Sequence, residues 1–164
     1  MRRRTSSGSS SGVDWHDDVD ASLAGWTRER IQETTWFIWG RVIGDVATAG
    51  LVGVGELLRF GTEDGEVVAT AFGGQHWFPV HLEDGPEAAC RLTMDQLQDG
   101  VVDRLGRPWP ELLDADGAFV GVLDVGEAAG IASWVLRDVP FCAVGQLSAA
   151  IPAAGLRLAQ GAAR

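Results

Sequence analysis

The sequence contains no lysine, no asparagine and no tyrosine among its 164 residues. Without lysine, the protein cannot form a Schiff base with a carbonyl substrate or complete a P-loop that holds nucleotide phosphates. Without tyrosine, it has no phenolic general acid. The glycine-rich stretch Gly50–Gly55 also lacks the G-x-G-x-x-G spacing of a dinucleotide-binding turn. We therefore expect the protein to use no cofactor.

Cysteine is scarce, since the chain contains only Cys90 and Cys142. The spacings C-x-x-C, H-x-x-x-H and H-E-x-x-H do not occur in the sequence, so we expect no metal site. The nucleophile pattern G-x-S-x-G does not occur either. Cys142 lies in the apolar stretch 140–144, where a thiol has a raised pKa and is unreactive. Both cysteines are expected to be reduced thiols that pack in the core.

No hydrophobic run approaches the roughly 18–20 residues that a membrane-spanning helix requires. The arginines at 2–4 are typical of the start of a secretion signal, but a Ser/Gly segment follows in place of an apolar region. We therefore expect a cytoplasmic protein with no membrane contact. Residues 1–12 are predicted to be a flexible Arg/Ser/Gly leader, and residues 13–164 to form a single domain.

Positive charge is also scarce, with 13 arginines against 23 acidic residues and a formal net charge of -10. General nucleic-acid binding requires a basic surface that displaces counterions, so the composition argues against it. An acidic surface keeps a protein soluble, and it also attracts a basic protein partner over long range. Both interpretations stay open from composition alone.

Tryptophan, in contrast, is abundant, with seven residues in the chain. This side chain is enriched at binding hot spots and also packs well in cores. Trp109 lies between two prolines that restrict its backbone, so it would lose little entropy as an interface anchor. Arg107 stands two residues before it, and capping the core would suit Trp109 equally well. We predict that Trp77 or Trp109 is exposed and contacts a partner, and packing under a loop is the competing interpretation for Trp77.

The segment 66–82 is predicted to be a β-hairpin around which the rest of the sheet is arranged. Gly73 and Gly74 join two runs of strand-forming residues and can adopt the positive φ angles of a two-residue turn. Pro79 has no N–H to donate to a neighbouring strand, so the second strand is expected to be an edge or to bulge there. Alternate residues share a face of a strand, which divides the second strand into a core side with His76, Phe78, Val80 and Leu82, and an outer side with Trp77, Pro79 and His81.

Two helical regions are predicted. Val19, Leu23 and Trp26 recur at helical spacing and indicate an N-terminal helix. Near 86–105 we expect a helical insertion, because proline at 86 suits a first helical position and Thr93 starts a capping box. Whether this insertion is one helix with a break or two short ones stays open.

Strands account for most of the remaining chain. Residues 34–43 favour a strand because of their Thr, Trp, Phe and Ile content, with a buried helix as the competing interpretation. Further strands are predicted at 51–60, 119–125, 131–136 and 141–147, and a short helix from residue 152 onward. The predicted fold class is α+β, with about six or seven mainly antiparallel strands, an N-terminal helix and the insertion near 86–105.

His76, His81 and Glu56 are the candidates for acid–base catalysis. The two histidines are five residues apart and fall on opposite faces of a strand, so they converge only if the strand bends at Pro79. Glu56 lies in an apolar run, where a buried carboxylate would have a raised pKa; an outward-facing carboxylate is the more common arrangement.

Three functions are compatible with these observations. The first is a non-catalytic interaction protein, an acidic inhibitor of the antitoxin or immunity-protein type that binds another, basic protein. The second is a structural subunit of a shell or phage-type assembly, in which residues 1–12 form an arm on a neighbouring copy. The third is a small enzyme with a pocket and a histidine or buried carboxylate as its base. The missing catalytic motifs favour the first.

Overall fold

Residues 25–51 and 58–159 are described by a computed structural model, and within them lie three α-helices and nine β-strands. The helices are α1 (Arg28–Ala47), α2 (Pro86–Leu105) and α3 (Leu147–Ala153). The strands are β1 (Leu58–Glu63), β2 (Glu66–Ala71), β3 (His76–Pro79), β4 (Glu111–Leu113), β5 (Phe119–Val122), β6 (Asp124–Ala128), β7 (Ile131–Leu136), β8 (Val139–Ala143) and β9 (Arg157–Leu158).

The strands form three antiparallel sheets of three strands each, with the orders β1-β2-β3, β5-β4-β9 and β6-β7-β8. The α+β class, the antiparallel pairing and the helix near 86–105 are confirmed. The predicted number of six or seven strands is too low for the described residues, because β4 and β9 are too short to leave a sequence pattern. No helix in these two ranges is long and apolar enough to cross a membrane.

Helix α1 replaces the strand that was predicted for residues 34–43, so that prediction is wrong. Its buried residues include Ile31, Thr35, Ile38 and Val42, which recur every three or four positions as on one face of a helix. The Thr35 hydroxyl donates to the Ile31 carbonyl one turn earlier, so its polar group is satisfied inside the helix. Thr27 caps the start by accepting a hydrogen bond from the amide of residue 30. Val19 and Leu23, which predicted the N-terminal helix, lie outside the described residues.

Helix α2 is one unbroken helix of 20 residues. Pro86 occupies its first turn, as predicted, whereas Thr93 is buried in the middle of the helix and starts no capping box. Gly100 does not break α2, because the Phe72 ring packs against its bare backbone; a β-carbon there would overlap that ring. The helix ends at Gly106 in the left-handed conformation, with φ +62°.

The first sheet contains the predicted hairpin, with a different turn. Asp64 and Gly65, with φ +50° and +81°, form the tight turn between β1 and β2, as the Asp-Gly pair favours. Gly73 and Gly74 instead lie in a four-residue loop, Phe72–Gln75, so the predicted two-residue turn there is wrong. The predicted faces of β3 are confirmed, with Phe78, Val80 and Leu82 buried and Trp77, Pro79 and His81 exposed.

The core lies where α1 and α2 meet the sheets, and two tryptophans occupy it. Trp109 and Trp134 are 2% and 0% exposed, and their rings pack edge to face with centroids 5.6 Å apart. Gln98 on α2 donates to the carbonyls of Trp109 and Leu123, at 2.9 and 2.7 Å. The described residues end with β8, α3 and β9. The strand predicted at 141–147 overlaps β8, and the helix predicted from 152 lies instead at 147–153.

Candidate interaction surface

The outward side of the first sheet carries the exposed Trp77. The strand register places Arg59, Thr70 and Trp77 side by side in one row across the three strands. Two further outward rows lie between this row and the tip of the β1–β2 hairpin. The first starts at Gly61 and the second at Glu63, both on β1. We refer to these five residues, Arg59, Gly61, Glu63, Thr70 and Trp77, as the Trp77 face.

Trp77 is 52% exposed, but its indole does not hang free. Its Nε1–H donates to Oε2 of Glu63 at 3.1 Å. Glu63 lies two rows away, so the ring extends along the sheet across the intermediate row, where Gly61 has no side chain to obstruct it. Val68 in that row is only 6% exposed, although it points outward. The result is a large aromatic surface that is exposed yet held in one orientation.

The end of the Trp77 face nearest the hairpin tip is acidic. Glu63 and Glu66 stand directly opposite each other across β1 and β2, with Asp64 in the turn between them. Like charges in this arrangement repel and reduce stability. Within the described ranges, none of the ion pairs involves these three carboxylates. The repulsion is therefore not relieved by a neighbouring arginine in these parts of the chain.

Comparisons with protein-family models, curated proteins and solved structures find no match to this chain. What the protein can do is therefore argued from the geometry of its own side chains.

The histidines proposed as catalytic residues are not brought together. His76 points inward, its ring tilted against Phe78 with centroids 5.7 Å apart, and its Nε2 is shielded from solvent without a partner among the described residues. His81 is on the surface, where its Nδ1 lies 3.2 Å from Oε1 of Glu83. Glu56, the third candidate, lies outside the described residues. The histidines thus occupy opposite faces, as the spacing predicted.

The cysteines are free thiols. Burial raises the pKa of the Cys90 thiol to about 12 and that of Cys142 to about 11. Both are therefore protonated at neutral pH, in agreement with the prediction that Cys142 is unreactive. In the part of the chain that the structure covers, no three His, Cys, Asp or Glu side chains are grouped closely enough to hold a metal ion.

Trp109 and Arg107, the other predicted interaction residues, make contacts within the fold. Trp109 is in the core, so the prediction that it anchors an interface is wrong and the alternative of core packing holds. Arg107 donates from Nη2 to the Ala159 carbonyl at 2.6 Å and lies 3.4 Å from Oε2 of Glu111. It therefore fastens the C-terminal strand β9 beside β4.

Sequence reasoning missed a buried carboxylate, Asp45 on α1. Its Oδ2 accepts hydrogen bonds from Nε1 of Trp134 at 2.7 Å and from the Gly145 amide at 2.6 Å, while Oδ1 accepts from the Leu147 amide at 2.9 Å. Burial raises the pKa of Asp45, and these bonds together with the Arg41 charge offset part of that rise. Asp45 thus joins α1 to β7 and to the start of α3. Helical spacing would have placed it on the buried face, had the helix been predicted.

An ion pair next to Asp45 joins the two long helices. Arg41 on α1 contacts both carboxylate oxygens of Glu87 on α2, at 2.7 and 2.6 Å. The same guanidinium donates to the carbonyls of Val144 and Ala132, at 2.9 and 3.1 Å. Glu87 in turn accepts from the Ala132 amide at 2.9 Å. Because every partner is a backbone group or the opposite charge, this cluster holds the fold together and offers no free reactive group.

Helix α1 carries a pair of exposed aromatic residues. Trp36 and Phe37 are 42% and 39% exposed, and Trp36 packs edge-on against Trp39 with centroids 5.9 Å apart. The Arg41 guanidinium lies 5.3 Å from the Phe37 ring centroid. This site differs from the Trp77 face in having a cation, rather than carboxylates, beside its aromatic rings.

Proposed function

We propose that this protein is a non-catalytic interaction protein that binds a basic partner protein through the Trp77 face, as an acidic inhibitor of the antitoxin or immunity-protein type would. The observation that carries the proposal is a half-exposed tryptophan whose indole donates a hydrogen bond to a carboxylate of the acidic sheet end.

Trp77 has the properties of a binding anchor. Binding hot spots are enriched in tryptophan, since it buries a large area and keeps a polar N–H for hydrogen bonding. The bond from Nε1 to Glu63 fixes the ring before any partner arrives. A ring that is already ordered loses less conformational entropy on binding, which favours affinity.

The charge around Trp77 favours a basic partner. Glu63, Asp64 and Glu66 lie at the hairpin tip, and the whole chain carries a net charge of -10. An arginine or lysine from a partner would relieve the repulsion between Glu63 and Glu66 and could also lie over the Trp77 ring. The net charge would speed the encounter at low ionic strength.

The partner is expected to dock on the face of the sheet and not by adding a strand to its edge. The Val80 amide donates to the Val67 carbonyl of β2. Because the backbone groups of successive residues in an antiparallel strand point to opposite sides, the backbone nitrogen of Pro79 points away from β2. Proline has no N–H to offer there. The edge of β3 is therefore poorly suited to strand addition, and the outward side chains remain as the contact.

The test compares Trp77→Ala with Trp36→Ala, which removes the other half-exposed tryptophan. A partner is first recovered with the wild-type protein from an extract of the native cells and identified by mass spectrometry, and it is then purified. Dissociation constants are measured for the wild type and both variants. We expect a basic partner whose affinity falls at least about 30-fold for Trp77→Ala and changes little for Trp36→Ala.

Two further measurements decide the charge argument. Replacing Glu63 and Glu66 together by glutamine should weaken binding and make it less dependent on salt, because fewer carboxylates remain whose attraction salt can screen.

A partner that binds Trp77→Ala as tightly as the wild type would refute the proposed surface. A partner lost only with Trp36→Ala would move the interface to α1.

A further inference from the structure

The end of the Trp77 face opposite the acidic tip contains a depression of about 380 Å³, lined by Arg59, Thr70, Gly73 and Gly74. Arg59 and Thr70 are direct neighbours across β1 and β2. Gly73 and Gly74 belong to the loop that follows β2. Arg59 and Glu63 are four positions apart on β1, about 13 Å at the usual rise of a strand. The face therefore has a positive end and a negative end.

The two polar side chains at this depression form no hydrogen bonds within the described ranges, whereas the Gly74 amide already donates to the Ala71 carbonyl at 3.2 Å. The Arg59 side chain is exposed, and it forms no hydrogen bond or ion pair with any described residue. The Thr70 hydroxyl likewise has no hydrogen-bond partner in the described ranges. Other arginines are used structurally, since Arg41, Arg104 and Arg107 each donate to backbone carbonyls. A guanidinium at a concave site that pairs with no carboxylate of the described residues is available to an anion.

The loop beside Arg59 is held rigidly in an unusual conformation. Phe72, Gly73 and Gly74 have consecutive φ angles of +55°, +69° and +83°. A left-handed conformation is unfavourable for phenylalanine, by about 1 kcal/mol or more. Arg104 of α2 maintains it by donating to the Phe72 carbonyl at 2.9 Å and by lying 4.6 Å from the ring centroid. Both glycines are exposed and line the depression.

We infer that Arg59, Thr70 and the Gly73 amide form a binding site for the oxyanion group, a carboxylate or a phosphate, of a small molecule. A guanidinium presents parallel N–H donors that suit such an anion, and the Thr70 hydroxyl and the Gly73 amide complete the set of donors. The volume of the depression exceeds that of the anionic group alone, so there is room for part of the attached molecule beside it. The site shares Arg59 and Thr70 with the Trp77 face, but neither Trp77 nor the acidic tip lines it, so it goes beyond the proposed function.

The test is a titration followed by the backbone amide resonances of the ¹⁵N-labelled protein. Inorganic phosphate, phosphoserine, acetate and citrate serve as probes, with chloride at equal ionic strength as the reference. We expect saturable shifts centred on Gly73 and Gly74 with at least one phosphate or carboxylate probe. Arg59→Gln should weaken the binding at least about tenfold, and Thr70→Val should weaken it to a smaller degree.

Arg28→Gln is the matched control, since it removes an exposed arginine of α1 that is remote from the depression in the chain. Unchanged resonances elsewhere in each variant show that the fold is intact. A response to phosphate alone or to carboxylates alone assigns the anion. The site is refuted if none of the probes shifts Gly73 or Gly74 beyond chloride, or if Arg59→Gln binds as the wild type does. A partner protein still bound by Arg59→Gln would leave the proposed function intact, so the two proposals can fail separately.

Discussion

At the scale of single residues, a buried polar group, Asp45, connects separate parts of the fold. Asp45 is 1% exposed and accepts three hydrogen bonds from two other parts of the chain. Such a carboxylate is acceptable in a core only because its donors are in place. It follows that Asp45 acts as a connection between elements and that changing it should affect stability.

We predict that Asp45→Asn lowers the free energy of unfolding by about 1–3 kcal/mol, since an amide has one acceptor oxygen and leaves a buried N–H donor unpaired. Urea unfolding followed by tryptophan fluorescence measures the change. Asp103→Asn, which alters an exposed carboxylate of α2, is the control and should remain within about 0.5 kcal/mol of the wild type. Equal stability of Asp45→Asn and the wild type would contradict the structural role of Asp45.

The raised pKa of Asp45 predicts a pH dependence with a definite sign. Between the unfolded and the folded pKa, the folded protein keeps a proton on this carboxyl that the unfolded chain has lost. The stabilisation that this proton provides is therefore fully present below pH 3.8, and it is lost as pH rises through the folded pKa. The difference in free energy of unfolding between the wild type and Asp45→Asn should therefore shrink from about pH 4 upward. Urea titrations of both proteins at several pH values measure it, and a growing difference would show a lowered pKa instead.

The two thiols should react slowly in the native protein. At the pKa of about 12, Cys90 has roughly a thousandfold less thiolate than an ordinary cysteine, and Cys142, at about 11, roughly a hundredfold less. We expect a thiol reagent such as DTNB to label Cys142 slowly, Cys90 more slowly still, and both at once in urea. Single Cys→Ser variants assign the rates. Native labelling of Cys90 at the rate of a free thiol would contradict its burial.

At the scale of elements, α2 shows how a tertiary contact overrides helix propensity. An exposed Gly→Ala change inside a helix usually adds about 1 kcal/mol of stability. At Gly100 the Phe72 ring occupies the space that a β-carbon needs. The glycine therefore contributes close packing between α2 and the loop after β2, and this loop carries part of the proposed anion site.

We predict that Gly100→Ala destabilises the protein by about 1–3 kcal/mol, because the Phe72 ring must move out of its place. In a Phe72→Ala background the same change should be neutral or stabilising, since the obstruction is gone. Thermal unfolding of the four proteins in this cycle measures the coupling. A stabilising effect of Gly100→Ala in the wild type would contradict the close contact.

At the scale of the whole molecule, charge is the dominant property. A net charge of -10 on 164 residues produces self-repulsion, while the described ion pairs Arg41–Glu87, His81–Glu83 and Arg107–Glu111 are few. Arg41–Glu87 is part of a partly buried cluster and is screened less than surface charges are. The effect of salt on stability should therefore come mainly from screening the repulsion between surface carboxylates and less from screening the attraction within ion pairs.

We predict that raising NaCl from about 0.02 to about 0.5 M increases the unfolding temperature, because salt screens the repulsion between carboxylates. Glu63→Gln/Glu66→Gln should be more stable at low salt and should respond less to NaCl. Differential scanning calorimetry measures both. An unfolding temperature that falls steadily with NaCl would mean that attractive ion pairs dominate.

Local sequence by itself determined a good part of the fold. The alternating faces of β3, the helix that starts at Pro86 and the strand at 131–136 were predicted, because each depends on side-chain period or on the conformational limits of proline. The exposure of Trp77 also follows from its position on the outer face of an edge strand.

Only the tertiary structure decided the remainder. Residues 34–43 carry strand-forming side chains, yet they form a helix because burying Ile38 and Val42 in the core outweighs a local preference of well under 1 kcal/mol per residue. The burial of Trp109 depends on Trp134, and the place of Asp45 depends on donors about a hundred residues away. The bond between Trp77 and Glu63 likewise depends on strand register. Contacts between distant parts of a chain leave no periodicity in the sequence, so folding alone brings these groups together.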